Sequence, residues 1–114
     1  MGVKIAVASS DGAQVNAHFG RARIFRIYEL EEGRWEFREE RENLPACAGQ
    51  EHSDDALERT AELIADCRGV VVEQVGSGAV DVLLARRIMP FMLAGTIAEA
   101  LLTLQDSRRF KYLR

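Results

Sequence analysis

Two short apolar runs constrain the fold of this chain more than any other feature. They are VKIAVA at residues 3–8 and VVVEQV at residues 70–75. Apolar, β-rich runs of this kind are typical of strands inside a sheet that is covered on both faces. We therefore predict an α/β protein in which these two strands lie side by side at the centre of the sheet.

The other elements complete this sheet. Three further strands are predicted, at residues 23–30, 34–41 and 88–93. Three helices are predicted, at residues 54–67, 79–87 and 97–105. Gly69 is expected to close the first helix, and Pro90 to confine the last strand to a sheet edge. The element order is therefore βββαβαβα.

The rules of chain connection favour one arrangement of the five strands. Right-handed crossovers and short connections predict a mixed sheet of order 3-2-1-4-5, with strand 2 antiparallel to the others. This order places the charged third strand at one edge and the Pro90 strand at the other. With 114 residues in all, we expect one domain over residues 1–105 and a basic, mobile C-terminal tail over residues 106–114.

Charge and cysteine content narrow the function. The formal net charge is −3, which argues against general affinity for nucleic acid or acidic membranes. No apolar run approaches the roughly 20 residues of a membrane span. The two cysteines, Cys47 and Cys67, form no disulfide framework, and Cys67 is expected to pack in the core beside the first helix. We expect a cytoplasmic protein with reduced thiols that binds neither nucleic acid nor membranes.

The predicted topology gathers three loops at the carboxyl edge of the sheet, where open α/β sheets bind ligands. These loops span residues 9–20, 43–52 and 76–78. They contain His18, Cys47 and His52, and imidazole and thiolate suit zinc, copper or iron–sulfur species. A closed zinc site needs four protein ligands, and the chain has no C-x-x-C pair. The pattern therefore favours an open, exchangeable metal site made by these three residues.

Other residues at the same edge could bind an anionic ligand. The turn Gly76-Ser77-Gly78 could present backbone N–H groups at a helix N-terminus, but a tight strand-to-helix turn explains it equally well. Arg21 and Arg23 could neutralise an anion, or they could be solvated charges at the start of a strand. The cofactor-binding set predicted from these observations includes all five residues and His18.

The segment VNAHFGRARIFRIYEL, residues 15–30, resembles the dinitrogenase iron–molybdenum cofactor biosynthesis family. The resemblance extends over residues 3–104 and includes the segments PACAGQEHSDDAL, DCRGVVVEQVGSGAVDVLLARRI and GTIAEALLTL. It implies a ribonuclease H-like βββαβαβα fold and a role for His18 of the HFG motif in cofactor binding. The function it implies is that of a carrier, not an enzyme. Such a carrier binds a labile iron–sulfur cluster or iron–molybdenum cofactor precursor and passes it from a donor protein to an acceptor protein.

Two other functions compete with this one. A zinc-binding or anion-binding regulatory module could use the same loop residues. A metal-dependent nuclease would need clustered carboxylates for two cations, but VKIAVA contains none. We therefore predict a non-enzymatic carrier, with the regulatory module as the alternative.

Overall fold

Five strands form the central sheet of the structure, which is a computed structural model. The structure describes residues 2–43 and 53–111, and in the second range it describes side chains from residue 56 onward. The strands of this sheet are β1 (Val3–Ala8), β3 (Ile24–Glu31), β4 (Arg34–Glu42), β5 (Gly69–Val72) and β6 (Met89–Met92). Two short strands, β2 (Gln14–Val15) and β7 (Gly95–Thr96), form a separate pair. The helices are α1 (Ser53–Leu63), α2 (Ser77–Ala85), α3 (Ile97–Asp106) and α4 (Arg108–Lys111).

The predicted α/β architecture with a mixed five-stranded sheet is present. The strands lie in the order β4-β3-β1-β5-β6. β1 pairs antiparallel with β3 and parallel with β5, while β4 and β6 occupy the two edges. The sequence did not predict β2 and β7, because each has two residues and the pair forms only when distant segments meet. Because β2 is also counted, the strand numbers in the observed order differ from those in the predicted order 3-2-1-4-5.

Each face of the sheet is covered by helices, as strands apolar on both faces require. Alternate residues of β1 point to opposite sides, so that Ala6 and Ala8 pack with α1 and α2, whereas Ile5 and Val7 pack with α3 and α4. None of the helices in the described ranges is long and apolar enough to cross a bilayer.

The first helix ends earlier than predicted. α1 stops at Leu63, and the chain then tightens into i to i−3 hydrogen bonds, including one from Cys67 N–H to Ile64 C=O at 2.9 Å. Arg68 N–H donates to Lys4 C=O at 2.8 Å, which draws the chain into the sheet before a further helical turn can form.

Gly69 was predicted to close this helix, but it is the first residue of β5. A Cβ atom at Gly69 would lie 3.0 Å from both the Ile5 and Phe91 side chains. The glycine therefore allows close packing inside the sheet and does not serve as a helix C-cap.

The segment predicted to begin a mobile tail is instead part of the core. Residues Arg108–Lys111 form α4, and Phe110 is completely buried, with its ring centroid 5.7 Å from that of Trp35. Burial of a whole aromatic ring offsets the cost of ordering a short terminal helix. The domain thus continues past residue 105, at least to Lys111.

An ion-pair cluster ties β4 to the segment after α1. Arg41 donates through Nη1 and Nη2 to the two carboxylate oxygens of Asp66, at 2.6 and 2.9 Å, and through Nη1 to Leu63 C=O at 3.0 Å. Lys4 Nζ lies 3.4 Å from the same carboxylate. Hydrogen bonding from Arg41 holds the pKa of Asp66 well below its ordinary value, despite the opposing effect of partial burial.

Replacing Asp66 by asparagine should lower the free energy of unfolding at pH 7. Because the Asp66 side chain is 45% exposed, solvent screens the pair, and we expect a loss of about 1 kcal/mol. The folded pKa lies well below the value of about 3.9 for an unfolded aspartate, so the stabilisation is complete above about pH 5 and decreases progressively as pH falls from about 4 through the folded pKa. Urea unfolding at pH 7, 5 and 3 should show the same difference between the two proteins at pH 7 and 5 and a smaller difference at pH 3. Asp81→Asn, at an exposed carboxylate without an ion pair among the described residues, should change stability at pH 7 by less than about 0.5 kcal/mol. A wild-type excess at pH 3 as large as that at pH 7 would contradict this assignment.

Candidate functional site

The backbone around His18 is joined to the chain that leaves β5. Phe19 N–H donates to Gln74 C=O and Glu73 N–H donates to Ala17 C=O, each at 3.0 Å, and His18 and Gln74 form a parallel bridge. These bonds extend the pairing of parallel strands beyond the carboxyl end of β5. The loop that carries His18 is thereby held at the sheet edge where the sequence predicted a site.

Phe19 anchors this loop from inside. Its side chain is completely buried, with its ring centroid 6.0 Å from that of Phe25. A short 3₁₀ helix over Phe19–Arg21 begins there, and Arg21 N–H donates to His18 C=O at 3.0 Å. With Phe19 packed inward, the neighbouring His18 side chain remains 47% exposed.

An open cavity of about 770 Å³ lies on one side of the bridge. We call it the first cavity, and its lining is His18, Phe19, Gly20, Arg21, Leu57, Gln74, Val75, Gly76, Gly78, Ala79 and Met92. Of the predicted cofactor-binding residues, His18, Arg21, Gly76 and Gly78 therefore lie together, whereas Ser77 is not part of the lining.

The amino end of α2 opens into the first cavity. Gly76 is the N-cap residue, and it provides no side-chain hydrogen bond to the first-turn N–H groups. A Cβ atom at Gly76 would meet nothing within 4 Å, so the glycine leaves space in front of the helix end. The turn can therefore present backbone N–H groups and a positive helix dipole to a ligand in the cavity.

A second cavity, of about 350 Å³, lies on the other side of the bridge. Its lining is Ser9, Ser10, Asn16, Ala17, His18, Arg21, Arg23 and Glu73. His18 and Arg21 line both cavities, but Arg23 lines only the second. The prediction that Arg21 and Arg23 serve one binding site with the glycine turn thus separates into two cavities on either side of His18.

Two residues beside His18 were missed by sequence reasoning. Glu73 Oε1 lies 3.7 Å from His18 Nε2, and this pair is ionic only when the imidazole is protonated. Met92, at the end of the edge strand β6, is 62% exposed and places a thioether in the first cavity. The sequence signal for Glu73 was its position directly after VVV, where a charged residue interrupts an apolar run at the carboxyl end of a strand.

Of the three predicted metal ligands, His18 is the one that lies in the part of the chain that the structure describes. Cys47 and His52 lie outside the described residues, which themselves contain no group of three or more His, Cys, Asp or Glu side chains able to hold a metal ion. Cys67 is buried as predicted, and burial, with the nearby charge of Asp66, raises its pKa to about 12. Cys67 also precedes β5, whereas His18 pairs with the chain that follows β5. Among the described lining of the first cavity, His18 is thus the only imidazole or thiol.

Residues 1–107 match the sequence profile of the family described as Dinitrogenase iron-molybdenum cofactor. The chain belongs to this family. The match confirms the resemblance noted for VNAHFGRARIFRIYEL and covers the loops that line both cavities up to Met92.

Individual members of the dinitrogenase iron–molybdenum cofactor family share about a third of their aligned residues with this chain. The protein NifY of Klebsiella pneumoniae is 35% identical over 86 residues, which are 75% of this chain and 35% of NifY. The FeMo cofactor biosynthesis protein NifB of Frankia alni is 33% identical over 101 residues, which are 86% of this chain and 20% of NifB. The chain therefore spans about a third or less of these curated relatives.

The fold is shared with proteins of known structure. A Thermotoga protein solved by NMR superposes with a TM-score of 0.64 at 21% identity, covering 93% of this chain and 90% of the other. This likeness extends over nearly the whole of both chains and supports the mixed α/β fold.

Proposed function

We propose that this family member is a non-enzymatic carrier in iron–molybdenum cofactor biosynthesis. It binds an iron–sulfur cluster or an iron–molybdenum cofactor precursor in the first cavity and passes it from a donor protein to an acceptor protein. The observation that carries the proposal is the exposed His18 imidazole at an open cavity of about 770 Å³, next to Arg21 and the amino end of α2.

The lining suits an anionic metal cluster as cargo. The His18 imidazole supplies a ligand for iron. Arg21 and the N–H groups at the start of α2 offset negative charge, and Leu57 and Val75 provide an apolar wall. Cys47 and His52 remain predicted as further ligands. A site with few protein ligands holds its cargo weakly enough to release it, which is what transfer requires.

We also propose that the sheet is ribonuclease H-like and serves as a scaffold. The central strand β1, with the sequence VKIAVA, has no carboxylate. Nuclease chemistry on two cations would need several there. Binding and release require only the loops at the carboxyl edge, so the scaffold need not contribute catalytic groups.

A zinc-binding or anion-binding regulatory module is the second candidate. It is favoured by the uncapped amino end of α2, which faces the same cavity as Arg21 and would accept a simple anion without any cluster. Reconstitution with iron and sulfide in the absence of oxygen separates the two functions, because an iron–sulfur adduct absorbs visible light whereas zinc and simple anions do not. A colourless protein with background iron after repeated reconstitution would contradict the carrier proposal.

Replacing His18 by alanine should weaken iron–sulfur binding at least about tenfold. Loss of groups that only orient metal ligands already costs 10–100-fold, so loss of a ligand should cost no less. Folding should change by less than about 0.5 kcal/mol, because the side chain is half exposed. Iron content and visible absorption after gel filtration measure the first effect, and urea unfolding measures the second.

Cys67→Ala is the matched control, since it removes the thiol that lies in the core. It should retain the cargo while losing about 1–3 kcal/mol of stability. If His18→Ala keeps wild-type iron content, or if Cys67→Ala loses it without loss of stability, the ligand assignment is wrong.

A further inference from the structure

The second cavity has no part in the carrier function proposed above. Like the first cavity, it lies beside the backbone bridge between His18 and Gln74. The paired segments 17–19 and 73–74 form the wall between the two cavities. Gln74 lines the first cavity and Glu73 the second, as expected for neighbouring residues of an extended chain. The two cavities are therefore separate recesses that share only His18 and Arg21.

The arginines of the second cavity have no carboxylate partner among the described residues. Arg21 and Arg23 make no ion pair or side-chain hydrogen bond with any residue in the described ranges. Arg26, Arg38, Arg41 and Arg86 are paired with carboxylates, whereas other exposed arginines of the described residues, such as Arg34, are not. What distinguishes Arg21 and Arg23 is that both line the same recess. Two unpaired guanidinium groups at one concave surface retain their donors for an external partner, and guanidinium geometry matches carboxylate and phosphate oxygens.

The part of the lining formed by Ser9, Ser10 and Asn16 is held in place by its own hydrogen bonds. Ser9 is 1% exposed; its hydroxyl donates to Asp11 Oδ1 at 3.2 Å and accepts from Gly12 N–H at 3.0 Å. Ser10 N–H donates to Asn16 Oδ1, and Asn16 Nδ2 donates to Ser10 Oγ, each at 3.0 Å. Because Ser10 Oγ accepts in this pair, its own proton remains free to donate into the cavity.

Glu73 is the one carboxylate among the described lining residues. Its Oε1 atom faces His18 Nε2 at 3.7 Å, so its charge lies against the dividing wall beside the imidazole. Two guanidinium groups therefore face one carboxylate in a recess of about 350 Å³ at the carboxyl end of β1. Recesses at this edge are where open α/β sheets bind ligands, and this volume suits a small molecule and not a large cluster.

We propose that the second cavity binds a small oxyanion, a carboxylate or a phosphate, between the guanidinium groups of Arg21 and Arg23 and the hydroxyl of Ser10. The site shares His18 and Arg21 with the lining of the proposed metal-cluster site, but its ligand lies in the second cavity and its binding can be tested without a metal. Of the two arginines, Arg23 is the one that lines the second cavity alone.

The test is a calorimetric titration of the metal-free, full-length chain with inorganic phosphate and, separately, with acetate at constant ionic strength. We expect saturable binding of at least one anion, and the stronger of the two identifies the class of ligand. Arg23→Gln should weaken that binding about tenfold, the equivalent of about 1.4 kcal/mol. Arg34→Gln, at an exposed arginine outside both cavities, should leave it unchanged.

Three results would overturn the proposal. They are the absence of saturable binding of either anion, equal binding by wild type and Arg23→Gln, and equal weakening by Arg23→Gln and Arg34→Gln. Because no metal is used, failure here leaves the carrier function untouched. Loss of cluster binding in His18→Ala likewise leaves the anion site untouched when phosphate or acetate still binds.

Discussion

Replacing Phe19 by alanine is expected to lower the free energy of unfolding by about 3–5 kcal/mol. The ring is completely buried, contacts Phe25 and belongs to the core between the sheet and helices α1 and α2. Its removal leaves a cavity directly beneath the loop that carries His18. Urea unfolding followed by circular dichroism measures the loss, which should be a shift in midpoint at unchanged slope.

Phe37→Ala is the matched control for Phe19. It removes the same ring from a position that is 47% exposed, where the ring contacts Tyr28 and Arg26 at the surface of the sheet. We expect a loss of about 1 kcal/mol or less. In Phe19→Ala, cargo binding should fall only under conditions that also unfold the loop, the opposite of His18→Ala. Equal losses of stability in Phe19→Ala and Phe37→Ala would show that Phe19 does not anchor the site.

Replacing Phe110 by alanine should lower the free energy of unfolding by about 2–4 kcal/mol. Phe110 is completely buried in the core between the sheet and α3, although it lies in a terminal helix of only four residues. The expected loss is smaller than for Phe19, because α4 can detach without unfolding the rest of the domain. Trp35 is the only tryptophan of the chain and packs on Phe110, so its fluorescence should shift to longer wavelength in the variant.

Lys111→Ala tests the same helix without touching the core. Lys111 is exposed and should contribute less than about 0.5 kcal/mol. Wild-type stability and an unshifted Trp35 spectrum in Phe110→Ala would mean that α4 does not pack on the sheet in solution.

Strands and turns defined by neighbouring residues were predictable from the sequence. β1 begins and ends where VKIAVA does, because apolar character on both faces is a local property. The turn at Glu32-Gly33 also follows from its residues, with φ values of 52° and 77° that suit a tight hairpin.

Features that depend on distant partners were not predictable in this way. The early end of α1 depends on Lys4, whose carbonyl accepts from Arg68. The place of Phe110 depends on Trp35, which lies 75 residues earlier in the chain. The basic composition of residues 106–114 predicts an exposed tail. Nothing in the local sequence shows that the one phenylalanine in it, Phe110, is buried.

The candidate site was predictable in outline, because strand topology alone brings His18, Arg21, Gly76 and Gly78 to one sheet edge. The separation of Arg23 from the glycine turn was not, since it depends on backbone bonds between residues 17–19 and 73–74. A local sequence pattern contains no sign of that pairing, and so Arg23 was assigned to the same ligand as the glycine turn.

Both margins of the sheet are closed to lateral growth. Every residue of β4 except Trp35 and Phe37 is charged, and β6 contains Pro90, which has no N–H to offer a neighbouring strand. Another polypeptide that added a strand at β4 would place its backbone beside a row of charged side chains. One that added a strand at β6 would lack the hydrogen bond that a backbone N–H at Pro90 would otherwise donate. A protein partner is therefore expected to dock through side chains around the loops, and copies of the chain are expected to resist joining into extended sheets.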